Sequence, residues 1–343
     1  MRSASGPGGA RLRPSTLFAS PVWAADDHAA AYGGFLETAR RIAAGGDALR
    51  TGRMPRPSLL RVCRAATEAG RLGPAAARAF FETRFRPLDV LPPNGESFLT
   101  GYYEPEIPAS PVRTDAFPSP ALRPPDDLDR IAPQPERSAI LDGALAGRGL
   151  ELVWLDPIEL FFAQIQGSAR LRFPDGRRMR LAYAGRNGRP YRAIGRIVVD
   201  EGHVPREEMT MQRLKAWLRA DAAEADRVMR MNPSYVFFRL VPDDPSRGPV
   251  GAAGVPLSPM RSIAVDRTLW SYGTPFFLSA DLPEPEGGSA RFDALTVAQD
   301  TGTAITGPAR IDLFYGSGPE AGERAGLVRH SGSLTVLLPR SGT

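Results

Sequence analysis

Glycine and proline punctuate this chain so often that long regular elements are excluded over most of its length: 35 glycines and 34 prolines are spread through 343 residues. Glycine supplies positive φ at turns, and proline lacks an N–H and fixes its own φ. Between these interruptions the sequence has room for a few helices near the start and then for short strands joined by turns. That order suits barrels more than a parallel α/β sheet. The length suits two domains, taking about 100–200 residues each. With 42% hydrophobic residues the chain can build cores. It has no apolar run of the roughly 18 residues that a membrane-spanning helix needs.

Apolar spacing predicts a helix from about Asp26 to Ala44, with Phe35, Leu36, Ala39, Ile42 and Ala43 on one face. A second runs from about Ser58 to Glu68 and stops at Gly70. A third starts at Pro74, since proline suits a first helical position. Phe98 to Tyr103 reads as a strand, and the proline-rich stretch from Pro105 to Pro135 as a loop and domain crossing. Asp156 caps a helix, with Glu159 three residues on; that helix ends between Gln164 and Gly167. Leu171 and Phe173, then Met179, Leu181 and Tyr183, alternate about an Asp175-Gly176 turn and predict a hairpin. Asn187-Gly188 marks another turn. A helical pair follows from about Thr210 to Met231, broken near Asp221. The rest reads as short strands: Tyr235–Leu240, Ser262–Val265, Pro275–Leu278, Leu295–Gln299, Arg310–Tyr315 and Leu334–Leu338.

Net charge is +5, and Lys215 is the only lysine. The arginines are scattered, without the concentrated basic face of a nucleic-acid binder. A solvated surface and attraction to an acidic polymer both fit. Cys63 stands alone, so no internal disulfide can form; its neighbours Leu59, Leu60, Val62 and Ala66 place it in a core. His28, His203 and His330 are far apart and form no metal motif, so no metal or cofactor is expected. The N-terminus shows neither the apolar stretch of a secretory signal nor a lipid-acceptor cysteine.

Two acidic motifs carry candidate chemistry. Asp300-Thr301-Gly302 at a strand end matches the aspartic-protease signature, but such enzymes need two copies, so a protease would have to be a homodimer. A capped strand-end turn is the plainer reading. Asp312 lies in Arg310-Ile311-Asp312-Leu313-Phe314-Tyr315, where alternation puts Ile311 and Leu313 on one side and Arg310, Asp312 and Phe314 on the other. Partial burial there would raise the carboxyl toward neutrality, as a general acid needs. A salt bridge to Arg310 or Arg324 fits as well. Dinucleotide, Walker and serine acyl-transfer motifs are absent. Tyr102, Tyr103, Gln164, Gln166, Ser168, Tyr183, Asn187 and Tyr191 are residue types able to grip a sugar polymer, and none of them is specific.

Taken in order, several segments resemble the membrane-bound lytic murein transglycosylase A (MltA) family. They are Thr100 to Pro105, Gln164 to Ser168, Tyr183 to Gly188, Tyr191 to Gly195, Asn232 to Phe238, Val255 to Leu257, and Ala298 through Asp312 to Gly326. The C-terminal part is similar to the three-aspartate (3D) domain, its aspartates matching Asp266, Asp300 and Asp312. The chain departs from the family pattern at Thr303, where a second glycine is usual.

The resemblance implies a mainly β fold with N-terminal helices (α+β). A double-psi β-barrel domain would form from both chain ends, 20–106 and 243–340, with the 3D region at about 255–340. A second β-barrel domain, 107–242, would be inserted, with the substrate groove between the two and residues 1–19 flexible. It implies cleavage of the β-1,4 bond between N-acetylmuramic acid and N-acetylglucosamine, giving 1,6-anhydromuramic acid ends. Asp312 would be the single catalytic acid and base, with Asp300 and Asp266 in support. Substrate contacts would come from Thr100, Gly101, Tyr102, Gln166, Gly167, Ser168, Gly185, Asn187 and Tyr191. Peptidoglycan glycan strands would be the partner, cell-wall synthesis or division proteins further ones, and the chain a monomer that binds no nucleic acid. The site of action would be the periplasm or outer-membrane periphery of a Gram-negative bacterium. An expansin-like protein that binds glycan without cutting it is the alternative.

Overall fold

The computed structural model describes residues 4–95, 97–130 and 133–340. The chain divides into two compact units, one made of residues 1–102, 246–316 and 327–343, the other of 103–245 and 317–326. The fold mixes helix and sheet throughout, rather than being mainly β with helices at the start.

In the first unit, helices Pro21–Ala25, His28–Ala43, Pro57–Ala69 and Pro74–Arg84 lie against a mixed sheet. Their shared core holds Trp23, Tyr32, Phe35, Phe81, Phe85, Phe277, Val297 and Leu337, with Cys63 fully buried among them. Burial pushes the Cys63 thiol up to about 12, so it packs as a small apolar residue. The second helix takes its cap from Asp27, whose carboxylate accepts from the Ala30 amide. Asp26 is thereby freed to face the sheet, where Arg261 and the Leu295 amide donate to it at 2.7 and 2.8 Å.

The first nineteen residues, expected to be flexible, carry a strand instead; residues 1–3 lie outside the described residues. Arg11–Pro14 pairs antiparallel with Phe85–Leu91, Leu12 standing opposite Val90 with both buried. One buried leucine between arginines is too short an alternation to read as a strand. In the partner strand, Pro87 obscured the pattern, because proline removes a ladder donor. The hairpin of Pro275–Pro283 and Ser289–Asp300 is longer than expected. The start of its second strand, Ser289–Arg291, is exposed and so lacks the alternation that marks a buried strand face.

The second unit has a four-stranded sheet in the order Val236–Pro242, Arg178–Arg186, Ser168–Arg172, Glu106–Pro108. A separate pair joins Ser119–Leu122 to Glu151–Leu155. Two strands therefore lie inside the stretch expected to be a loop: Glu106–Pro108, and Ser119–Leu122, where Ala121 and Leu122 are buried. Helices Pro157–Gln166, Ile194–Asp200, Met211–Ala220 and Ala222–Arg230 build a second apolar cluster. Asp156 caps the first of these as expected, accepting from Ile158 and Glu159 amides at 3.0 and 2.9 Å. Glu159 is drawn off to Lys215 and Arg219. Among the described residues, no helix is long and apolar enough to cross a membrane.

Candidate active site

Three adjacent strands bring two of the three aspartates into one row. Ser262–Ala264 lies between Ser289–Asp300, to which it is parallel, and Arg310–Ser317, to which it is antiparallel. A register shift after Ile263 sets Ala264 opposite both Asp300 and Asp312. Without that shift, Gln299 would occupy the position of Asp300. Two strand spacings separate the two aspartate backbones by about 10 Å. Phe98–Glu104 lies on the far side of Arg310–Ser317 and adds Thr100 and Tyr102.

Asp312 is half-buried. Burial pushes its carboxyl up from 3.8 to about 6. The charge of Arg310 and a hydrogen bond from Thr100 pull the other way, and the charge of Asp300 adds a further upward push. Thr100 Oγ1 donates to Asp312 Oδ1 at 2.5 Å. Arg310 donates to that same Thr100 oxygen at 2.8 Å, so its guanidinium reaches Asp312 through a hydroxyl.

Asp300 is held differently. Its Oδ1 accepts from the Ala252 and Thr301 amides at 2.9 and 2.8 Å, and its Oδ2 from the Tyr102 hydroxyl at 2.9 Å. Burial raises this carboxyl too, while the same hydrogen bonds oppose the rise. The Tyr102 hydroxyl is pushed well up by burial and by both carboxylates, so it stays a donor. Gln299, next in the chain and fully buried, anchors the strand end by donating to Gly34 O at 2.8 Å and Thr38 Oγ1 at 2.7 Å on the helix behind. Asp266 does a turn's work: it accepts from the Thr268 amide and hydroxyl at 2.9 and 2.6 Å and from the Gly307 amide at 2.8 Å. Thr303 is exposed and has no positive φ, so the usual glycine is not required there.

The loop that delivers the Ala252 amide depends on Gly251. A Cβ at Gly251 would stand 2.5 Å from Leu257 Cδ2 and 2.8 Å from Gln299 O. Gly251→Ala should therefore lift the loop, detach Ala252 from Asp300 and cost about 1–3 kcal/mol. Thermal melting and turnover measured on the same preparation check this, and an unchanged melting temperature would show that the loop yields freely.

The remaining expected contacts lie in the second unit. Gln166 and Tyr191 are partly exposed; Gln166 Oε1 accepts from the Tyr103 amide at 3.3 Å. Gly167 ends its helix in the left-handed region at φ 84°, and buried Ser168 opens the next strand. Gly185 packs close to Leu128 and Pro124. Asn187 leaves the set of substrate contacts. It is 1% exposed; its amide donates to Pro135 and Pro233 carbonyls at 2.9 and 2.8 Å and accepts from the Tyr235 amide at 2.9 Å. Gln164 is likewise buried, accepting from Arg137 at 2.6 Å and donating to Val236 O at 3.0 Å. Among the described residues, no group of three or more histidine, cysteine, aspartate or glutamate side chains is placed to hold a metal ion.

Known proteins resemble this chain in sequence and in fold. Residues 98–239 match the MltA specific insert domain and residues 261–338 the 3D domain. Membrane-bound lytic murein transglycosylase A of Escherichia coli K12 is 36% identical over 253 residues, 72% of this chain and 67% of the relative. The chain belongs to the membrane-bound lytic murein transglycosylase A family. A crystal structure of the membrane-bound lytic murein transglycosylase from Agrobacterium tumefaciens superposes with a TM-score of 0.85 at 36% identity, covering 96% of this chain and 98% of that one. Escherichia coli MltA with bound chitohexaose gives 0.71 at 27% identity, covering 98% and 93%. All three aspartates fall inside the 3D match, and Thr100, Gly101, Tyr102, Gln166, Gly167, Ser168, Gly185, Asn187 and Tyr191 inside the MltA-specific match. Sequence reasoning missed the Ala252 amide and Gln299. The amide carries no side-chain signal, and a glutamine beside an aspartate reads as ordinary polarity.

Proposed function

We propose that this chain is a lytic transglycosylase that cuts peptidoglycan between N-acetylmuramic acid and N-acetylglucosamine, with Asp312 as its single acid and base. Family membership supports the reaction class, and the relative solved with chitohexaose supports a glycan strand as ligand. The observation that carries the assignment within the site is the half-buried Asp312 carboxyl at about 6, a value at which it holds a proton or releases it near neutrality.

Protonated Asp312 gives its proton to the glycosidic oxygen as the C1–O bond breaks. The resulting carboxylate then takes the proton of the muramic acid 6-hydroxyl as O6 bonds to C1. The product is a 1,6-anhydro sugar and a free 4-hydroxyl, and no water enters. The tethered hydroxyl brings the high effective concentration of an intramolecular attack. A hydrolase would need a second carboxylate to activate water or attack the sugar. Asp300 is ill-suited to that part, because two backbone amides and a tyrosine hydroxyl already occupy its oxygens.

Asp300 and Asp266 are assigned supporting roles, and Thr100, Gly101, Tyr102, Gln166, Gly167, Ser168, Gly185 and Tyr191 the substrate contacts. We further assign a double-psi β-barrel domain to 20–106 with 243–340 and an inserted β-barrel domain to 107–242. The parallel pairing of Ser262–Ala264 with Ser289–Asp300, beside its antiparallel pairing with Arg310–Ser317, supports the first of these. Relatives named membrane-bound support action at the periplasmic periphery of an outer membrane. A monomer working beside cell-wall synthesis or division proteins completes the reading.

Incubating the protein with peptidoglycan sacculi and reading the products by mass spectrometry tests the reaction class. Anhydro-muropeptides, lighter by one water than hydrolysis products, are expected. Reducing ends would make the enzyme a hydrolase, and retention on sacculi without release would leave a glycan-binding protein.

A further inference from the structure

Arg310 stands two residues before Asp312 on the same strand and shares its face. Its guanidinium lies 4.8 Å from the centroid of the Phe98 ring. Nη2 donates to Thr100 Oγ1 at 2.8 Å and Nη1 to Ile311 O at 2.5 Å. Phe98 and Thr100 hold the side chain against the neighbouring strand, and the Ile311 carbonyl ties it to its own.

A guanidinium has donors and no acceptor. Thr100 Oγ1 must therefore accept from Arg310, and its one hydrogen is left for Asp312 Oδ1, 2.5 Å away. In a protonated carboxyl the hydroxyl oxygen is a much poorer acceptor than the carbonyl oxygen, so the oxygen that accepts this short hydrogen bond is the wrong one to carry the acid proton. The proton must sit on Oδ2. Were Arg310 absent, the Thr100 hydroxyl could turn and accept a proton from Oδ1, and the acid would be shared between two orientations.

We propose that Arg310 is a positioning residue for the reaction: acting through Thr100, it fixes the acid proton of Asp312 on Oδ2 and steadies the carboxylate left after that proton is given up. The inference rests on Asp312 being the acid and deepens that reading. No proton passes to or from Arg310; the arginine orders a hydroxyl dipole and supplies a nearby positive charge. That charge favours the ionised form of Asp312, and burial opposes it.

The test uses the whole chain with Arg310→Gln and Arg310→Lys, each confirmed folded by thermal melting. Two readouts are taken: the pH dependence of anhydro-product release, and the carboxyl ¹³C titration of Asp312, assigned with Asp312→Asn. Losing an opposite charge at this range raises a carboxyl pKa by about 1 unit. Arg310→Gln should move both the alkaline limb of the rate profile and the titration up by about that much. Its rate should also fall by about 10-fold or more where both proteins are protonated, since the proton is no longer confined to one oxygen. Arg310→Lys should keep the titration near the wild-type midpoint while recovering only part of the rate, because a lysine lacks the planar fork. A uniform loss of rate with neither midpoint moved would overturn the proposal and make Arg310 a packing residue. A titration that moves while the rate profile stays fixed would overturn it as well, and would locate the fault in Asp312 as the acid.

Discussion

Asp312→Asn should reduce anhydro-product release by at least about 10³-fold, toward the upper end of what one general acid–base group contributes. The loss is expected at the top of the range because the same atoms act twice, first as donor and then as acceptor. Asparagine keeps the shape and can still accept the Thr100 hydrogen bond seen at Oδ1, but it can neither give nor take the proton. The backbone register that faces Asp312 and Asp300 with Ala264 does not depend on the charge.

The same variant should gain stability at alkaline pH. The Asp312 carboxyl is raised from 3.8 to about 6 in the folded chain. Above that value the folded state must ionise a group that burial disfavours, whereas the unfolded chain ionises it freely. A shift of that size corresponds to roughly 2–3 kcal/mol. The effect is fully present above pH 6, shrinks between pH 6 and 4, and is absent below. Asp312→Asn should therefore melt higher than wild type at pH 8 and alike at pH 3.5. An inactive variant that is less stable at pH 8 would mean the site is solvated and its carboxyl ordinary. Retained activity would transfer the acid role elsewhere.

How much of this was legible in the sequence depended on whether a residue's job shows in its neighbours along the chain. The helices at His28–Ala43, Pro57–Ala69 and Pro74–Arg84 announce themselves through apolar spacing and start signals, and they lie within a few residues of their expected bounds. Asp312 was legible as a candidate because strand alternation put it on the face of Arg310 and Phe314. What stayed open was whether it paired with a cation, and that turned on Thr100, more than two hundred residues away. Asn187 misled for a related reason. Turn chemistry placed it correctly in a loop, but only the fold shows its amide spent on Pro135, Pro233 and Tyr235. The buried strands Phe85–Leu91 and Ser119–Leu122 were hidden by internal prolines, a local cost that the surrounding sheet and core outweigh.

Glu104 was legible only as one letter of a family segment, yet its removal should be among the most destabilising single changes in the chain. Its side chain is fully buried in the second unit. Arg180 Nε stands 2.9 Å from Oε1 and Arg170 Nε 3.2 Å from Oε2, while Ser317 donates to Oε2 at 2.7 Å. Asp243, also buried, faces both arginines at 3.1 and 3.4 Å. Two cations and two anions thus balance in a space with little water. Burial raises the Glu104 carboxyl, and the two arginines and Ser317 hold it down. The isosteric Glu104→Gln deletes one anion and leaves two guanidiniums sharing Asp243. Breaking a buried pair on one side costs about 3–5 kcal/mol, because the stranded charge cannot be hydrated. Urea unfolding followed by circular dichroism should show that loss. Combining Glu104→Gln with Arg180→Gln restores neutrality and should recover part of it, so the double variant should be more stable than the first single one. A cost below about 1 kcal/mol for Glu104→Gln, or strict additivity in the double variant, would show that water reaches the cluster and that its charges act independently.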